Sequence, residues 1–152
     1  MTVIFAIDPG TDQSGYVRYD GKVLQSGVMD NYDLLQIVKD DNSDVLAVEL
    51  IVAQGAPVGQ STFGTCIWSG RFCQAWGSPD EVMWIPRREV KRALGLPGSS
   101  NDAKVNAKLQ QVIGPKGTKS AKGPTFGVSS HAWAALGVAF TALVRISKLR
   151  DV

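Results

Sequence analysis

Apolar and polar positions divide the chain into a small number of elements. Residues 3–7 are continuously apolar and β-prone, and Asp8-Pro9-Gly10-Thr11 ends the run, because Pro and Gly together mark a tight turn. A second strand is predicted over 14–20, carrying Tyr16 and Tyr19. Gly21 suits a hairpin turn into a third strand over 22–28. Leu34, Leu35, Ile37 and Val38 predict a short helix over 32–39, and Asp40-Asp41-Asn42 a loop after it. Residues 45–52 are apolar except for Glu49, the pattern of a buried central strand that carries one carboxylate.

A Gly/Pro loop over 53–57 precedes a long helix over 58–76. Its large residues, Phe63, Cys66, Ile67, Trp68, Phe72, Cys73 and Trp76, go most of the way round, so both sides should be covered. One side suits a sheet; the other calls for a partner, and a second copy of the chain is the expected one. Gly64 and Gly70 would let a facing backbone approach closely, at some cost in helix propensity. Residues 81–86 predict a short strand, 87–94 a basic helix ended by Gly95 and Pro97, and 103–113 a helix capped from within 99–102. Residues 114–127 form a Gly/Pro/Lys loop, expected to be mobile. Ser129 or Ser130 is the expected cap of a last helix running to about Leu149. Three strands, a helix, a strand, a long helix, a strand and further helices predict an α/β fold: a mixed five-stranded sheet with helices on both faces. The 152 residues fit one domain, 1–152, around one core.

Composition narrows the classes. No uninterrupted run of 18 apolar residues exists, so no membrane span is expected, and the apolar start lacks the basic flank of a signal peptide. Cys66 and Cys73 are two helical turns apart, roughly 10 Å, too far for a disulfide, so cysteine usage gives no hint of an oxidising compartment. With His131 they make no structural zinc set. The net charge of +2 conceals a strong asymmetry. Residues 1–84 hold 4 Lys+Arg against 11 Asp+Glu, residues 85–122 hold 9 against 2, and residues 123–152 hold 3 against 1. An acidic first half followed by a basic segment suits a polyanionic partner, although an unevenly charged solvated surface has the same appearance.

Asp8 lies where the first strand ends, and Glu49 lies inside an apolar strand. A buried carboxylate is costly unless paired or metal-bound. If the two strands are neighbours, both carboxylates meet on one face, and their repulsion invites a divalent cation. Such cations activate water and stabilise the leaving oxygen in phosphodiester hydrolysis. Taken singly, Asp8 also reads as ordinary turn chemistry and Glu49 as an edge residue or a salt-bridge partner.

Ala6-Ile7-Asp8-Pro9-Gly10-Thr11, followed by Ser14-Gly15-Tyr16, resembles the first-strand motif of RuvC-type Holliday junction resolvases, and Val48-Glu49 resembles their second acidic position. Gly55-Ala56-Pro57-Val58-Gly59, Trp68-Ser69-Gly70-Arg71-Phe72 and Gly127-Val128-Ser129-Ser130-His131-Ala132-Trp133-Ala134-Ala135-Leu136 are similar to the phage branch of that family. No single piece is specific; their order and spacing across nearly the whole chain carry the likeness. It implies the ribonuclease H-like fold and a dimeric nuclease, paired through the 58–76 helix, that uses Mg2+ or Mn2+, two ions per site. It further implies cleavage of branched DNA at symmetric positions, in the cytoplasm of a phage-infected host. Family sites end in an acid or histidine and, three residues on, an aspartate. His131 fits the first position, but the second falls on Ala134, which cannot bind metal. Either Asp8, Glu49 and His131 suffice, or the protein binds junctions without cutting them, or an inactivating Asp→Ala replacement is present; a native alanine is the reading adopted.

His131 and Ala134 share a helix face, which places His131 near the strand ends; a histidine there is also an ordinary capping or surface residue. Imidazole suits manganese better than magnesium. Asp102 is a possible extra carboxylate or a residue favoured by the helix dipole, and Asp12 is a weaker candidate. Arg87, Arg88, Lys91 and Arg92 form one broad basic face, and Lys116, Lys119 and Lys122 recur every third residue. Both groups suit phosphate contacts, and the loop would order on meeting DNA. Phe63 is a candidate for stacking on unpaired bases. A sugar-kinase or actin-like phosphotransferase shares an Asp-x-Gly-Thr loop, but such proteins duplicate the fold to clasp ATP, and this length holds one copy.

Overall fold

In a computed structural model, residues 1–151 are described. Five strands, β1 (Ile4–Asp8), β2 (Gln13–Tyr19), β3 (Val23–Asp30), β4 (Val45–Leu50) and β5 (Met83–Pro86), form one mixed sheet in the order β3-β2-β1-β4-β5. β1 runs antiparallel to β2 and parallel to β4, and β4 runs parallel to β5. The helices are α1 (Asn31–Asp40), α2 (Gln60–Ala75), α3 (Arg87–Ala93), α4 (Asp102–Ile113) and α5 (Ala132–Arg150).

Strand alternation sorts the core into two layers. Phe5, Ile7, Tyr16, Leu46 and Val48 pack under α1 and α2 with Leu34, Val38, Trp68 and Phe72. Ile4, Ala6, Val17, Tyr19, Ala47 and Ile85 pack under α3, α4 and α5 with Val90, Val105, Leu109 and Leu136. α5 is central: from Ala132 to Ala142 only Ala134 and Phe140 are less than fully buried. By length and composition this helix is apolar enough to cross a membrane, a test that the absence of an unbroken apolar run did not anticipate. Its apolar side lies instead on β1, β2 and β4.

Several expectations need correction. Asp8 is the last residue of β1 and not part of the turn, so strand alternation fixes its direction. Neither Ser129 nor Ser130 caps α5; His131 stands at the cap position without a side-chain cap bond, and Ser130 just before it takes a left-handed turn (φ 51°). Asn101 caps α4, accepting from the Lys104 amide at 3.0 Å. The long helix starts at Gln60, two residues late, and residues 79–81 form a 3-10 turn ahead of β5. The Gly/Pro/Lys loop carries hydrogen bonds of its own: Gly117 bridges Lys122, the Gly123 amide donates to the Lys116 carbonyl at 2.8 Å, and the Thr125 hydroxyl donates to the Gly114 carbonyl at 2.9 Å. The outer side of α2 carries no cover among the described residues, with Phe63 56% and Ile67 64% exposed.

Candidate active site

Ile7 pairs with Val48 across parallel strands, so the next residues, Asp8 and Glu49, stand side by side at the C-terminal ends of β1 and β4. Ala6 and Ala47, two residues earlier on each strand, face α5, so both carboxylates face it too. The two carboxyl groups are close enough to act on one another directly. Burial first, then the Asp8 charge, pushes the Glu49 carboxyl up to about 8. Burial also raises Asp8, opposed by the neutral Glu49 carboxyl and the positive charge of Arg87. Each carboxylate thus raises the cost of ionising the other, so the pair resists carrying two negative charges without a counter-ion.

The turn after Asp8 is fixed by a buried polar network. Ser14 Oγ donates to Asn31 Oδ1 at 2.6 Å and accepts from the Gly10 amide at 3.1 Å, while Asn31 Nδ2 donates to the Gly10 carbonyl at 2.9 Å. These two residues were not anticipated; an Asn directly after the helix-capping Asp30 was the signal available. Gly15, on β2, lets the start of α5 descend onto the sheet: a Cβ there would lie 2.3 Å from the His131 carbonyl oxygen. That descent brings His131 Nδ1 to 3.4 Å from Asp8 Oδ2, with the imidazole 73% exposed.

The basic residues separate. Arg87, at the first position of α3, turns inward: Nη2 donates to Asp102 Oδ1 at 2.7 Å, and its charge acts on both Asp8 and Glu49. A cleft of about 430 Å³ runs from Glu49 along Leu50–Gln54 and is walled by Arg87, Arg88 and Lys91. Arg92 lies elsewhere, lining a depression with Arg145 and Lys148. The physical reason is helix geometry: at 100° per residue, position i+5 points about 140° away from position i. A second hollow of about 590 Å³, formed by Asp8 to Gln13, Asp30 and His131, opens on the other side of the pair. Lys116, Lys119 and Lys122 are exposed, Lys116 over the Trp133 ring at 5.3 Å and Lys122 over Phe126 at 5.2 Å. Phe63 stands beside Gly64, whose Cα packs near Thr11 of the turn after Asp8. Asp102 contributes to the field at both carboxylates while remaining exposed itself.

Two half-buried carboxylates that repel one another are a donor set that suits a divalent cation. No group of three His, Cys, Asp or Glu converges as a ligand set among the described residues, so His131 stands near the pair without completing a cage.

The strand order, the parallel β1–β4 pairing and the carboxylates at adjacent strand ends define the class: an α/β fold of the ribonuclease H-like type. Among solved structures, the chain is similar to Thermus thermophilus RuvC in complex with Holliday junction substrate, at a TM-score of 0.73 and 16% identity over 97% of this chain and 96% of that one. It is similar also to a second Thermus thermophilus RuvC structure, at 0.68 and 18% over 96% and 97%. No family model and no curated protein matches the sequence.

Proposed function

We propose that the chain is a single-domain, metal-dependent endonuclease that cuts four-way or other branched DNA, acting as a dimer in the cytoplasm of a phage-infected host. The observation that supports it most is the Asp8–Glu49 pair, side by side on neighbouring strands, beside a cleft walled by Arg87, Arg88 and Lys91. Asp8 and Glu49, with His131 at the rim, are the residues that would hold Mg2+ or Mn2+. The bound ion supplies Lewis acidity toward a phosphodiester and acidifies a water. The chain's own groups do the remainder. Arg88 and Lys91 would bind the phosphate backbone, and the exposed lysines at 116, 119 and 122 would offer separate phosphate contacts. The protonated Glu49 must lose its proton before the pair can act. In the reaction, water adds to phosphorus as one P–O ester bond breaks; the water's proton leaves to solvent and the departing oxygen takes one up. A phosphate monoester and a hydroxyl result.

The uncovered side of α2, with Phe63 and Ile67, suits a two-fold contact that would set two identical sites on one surface. That arrangement matches paired cuts across a junction. The RuvC structure solved with Holliday junction substrate has the same fold, which supports the substrate class. Ala134, which carries no ligand atom, favours a second reading, a junction-binding protein that does not cut.

A labelled synthetic four-way junction, incubated with Mn2+ and separately with EDTA, tests both. The expected result is paired nicks that vanish with EDTA and with Asp8→Asn, and greater activity with Mn2+ than with Mg2+ if His131 is a ligand. Tight structure-selective binding without nicks favours the second reading, and Ala134→Asp then tests for rescue. Neither binding nor cutting sinks both.

A further inference from the structure

The depression that holds Arg92 lies outside the Asp8–Glu49 site. It is a hollow of about 240 Å³ between α3 and the later turns of α5, with Arg92, Arg145 and Lys148 as its cations and Glu89 as its one acid. Arg145 is already committed: its Nη2 lies 2.7 Å from Glu89 Oε1 and 2.6 Å from Oε2, and it donates to the Trp84 carbonyl at 3.4 Å. Arg92 and Lys148 are exposed and form no ion pair among the described residues. Each stands in the last turn of its helix, where a cation complements the helix dipole. The dipole accounts for a cation at each helix end; it does not account for two helices bringing theirs to one hollow.

α3 forms a ridge between this hollow and the cleft beside Glu49. Arg87, Arg88 and Lys91 line the cleft, and Glu89, Arg92 and Ala93 line the depression. Arg88 and Arg92, four residues apart and both exposed, share the outer side of the ridge. Basic side chains therefore continue from the carboxylate pair over α3 to the far end of α5. On the opposite side of the pair, the hollow carries Asp8, Asp12 and Asp30 and neither lysine nor arginine.

We infer that this track binds the phosphate backbone of a duplex DNA arm leaving the site, with Arg92 and Lys148 as its outermost contacts. The inference rests on the nuclease reading for its substrate. The span suits a duplex arm better than a single nucleotide. His131, 3.4 Å from Asp8, marks the end of α5 nearest the carboxylates, and Lys148 stands about 25 Å further along the same helix. At about 3.4 Å per base pair, that is roughly seven base pairs of DNA. Unpaired cations at such a distance position an arm without reading its sequence. Arg145 is a positioning residue: through Glu89 and the Trp84 carbonyl it ties α5 to α3 and β5, which fixes the spacing of the two free cations.

Binding of fluorescent four-way junctions by the full chain in EDTA, so that cleavage does not enter, tests the track. Methylphosphonate substitution removes the charge of chosen phosphates. Arg92→Gln combined with Lys148→Gln should weaken junction binding by about tenfold at low salt, and should lower the slope of log affinity against log salt by about 2, one phosphate contact per cation. Neutralising the phosphates roughly six to nine base pairs from the crossover should weaken the wild type to a similar extent and leave the double variant unchanged. Neutralising those next to the crossover should weaken both proteins alike. Arg92→Lys with Lys148→Arg should bind as the wild type does, because the contact is one of charge, and this separates a lost contact from a lost fold. Equal sensitivity of the wild type and the double variant to the distant phosphates, or a salt slope untouched by the double variant, overturns the track and leaves the nuclease reading in place. A wild type that binds no junction overturns both.

Discussion

Gly15→Ala tests whether the site is assembled by the descent of α5 onto β2. The added Cβ would sit 2.3 Å from the His131 carbonyl oxygen, 2.5 Å from its carbon and 3.0 Å from the Ala132 nitrogen. All three are backbone atoms, so no side chain can rotate away. To bring the shortest contact out to the 3.0 Å that real Cβ atoms require, the start of α5 must retreat by at least about 0.7 Å. The helix cannot do so freely, because Ala132, Ala135 and Leu136 are fully buried behind it. Overpacking of this kind costs about 1–3 kcal/mol, which for a chain of this size lowers Tm by roughly 2–4 °C per kcal/mol. The same retreat carries His131 away from Asp8, now 3.4 Å distant, and a displacement near 1 Å at a reacting group can cost on the order of 100-fold in rate. Thermal melting in EDTA and junction cleavage in Mn2+ measure the two effects, with Asp8→Asn as the activity blank. A Gly15→Ala protein that melts within 1 °C of the wild type and cuts at the same rate would refute the reasoning.

Two further outcomes follow from the geometry. Glu49 titrates near 8 in the fold against an ordinary 4.5, so the folded state keeps a proton that the unfolded chain releases. Its contribution to stability is therefore complete below about pH 4.5 and is lost as pH rises through 8, with a slope of at most about 1.4 kcal/mol per pH unit. Urea midpoints in EDTA across that window should fall with pH for the wild type and fall less for Glu49→Gln; equal slopes would count against the raised Glu49 carboxyl. On α2, Phe63→Asp combined with Ile67→Asp should convert a dimer to a monomer in sedimentation without lowering the monomer's Tm by more than about 1 °C, since both side chains are already exposed. A wild type that sediments as a monomer at all concentrations rejects the dimer face.

How far the site was legible depended on whether its residues announced themselves locally. Asp8 and Glu49 did, because each is a carboxylate within or at the end of an apolar run, where burial demands a reason. His131 was singled out only through the resemblance of its segment to the resolvase family, because a lone histidine at a helix start reads equally as a cap or surface residue. Ser14 and Asn31 were not, because their importance comes from a hydrogen bond between residues 17 apart that no local pattern displays. The inward turn of Arg87 was hidden for a similar reason: helical spacing groups it with Arg88, Lys91 and Arg92, and only the position of Asp102 and the gap at Gly137 separates it from them. The expected cap at Ser129 or Ser130 failed because capping propensity is only a preference; His131 holds the cap position, after a left-handed turn at Ser130.

The sequence by itself determined the element order, the two-faced burial of the sheet and the identity of the acidic pair, because periodicity and the cost of burying charge act over a few residues. Tertiary structure alone decided that β1 and β4 are parallel neighbours in the register that sets Asp8 beside Glu49. It decided too that α5 descends at Gly15 to bring His131 within 3.4 Å of Asp8, and that one arginine of a basic helix binds Asp102 and lines the cleft beside Glu49. These are contacts between segments distant in the chain, and their energies depend on packing and desolvation that exist only once the sheet and its helices have closed together.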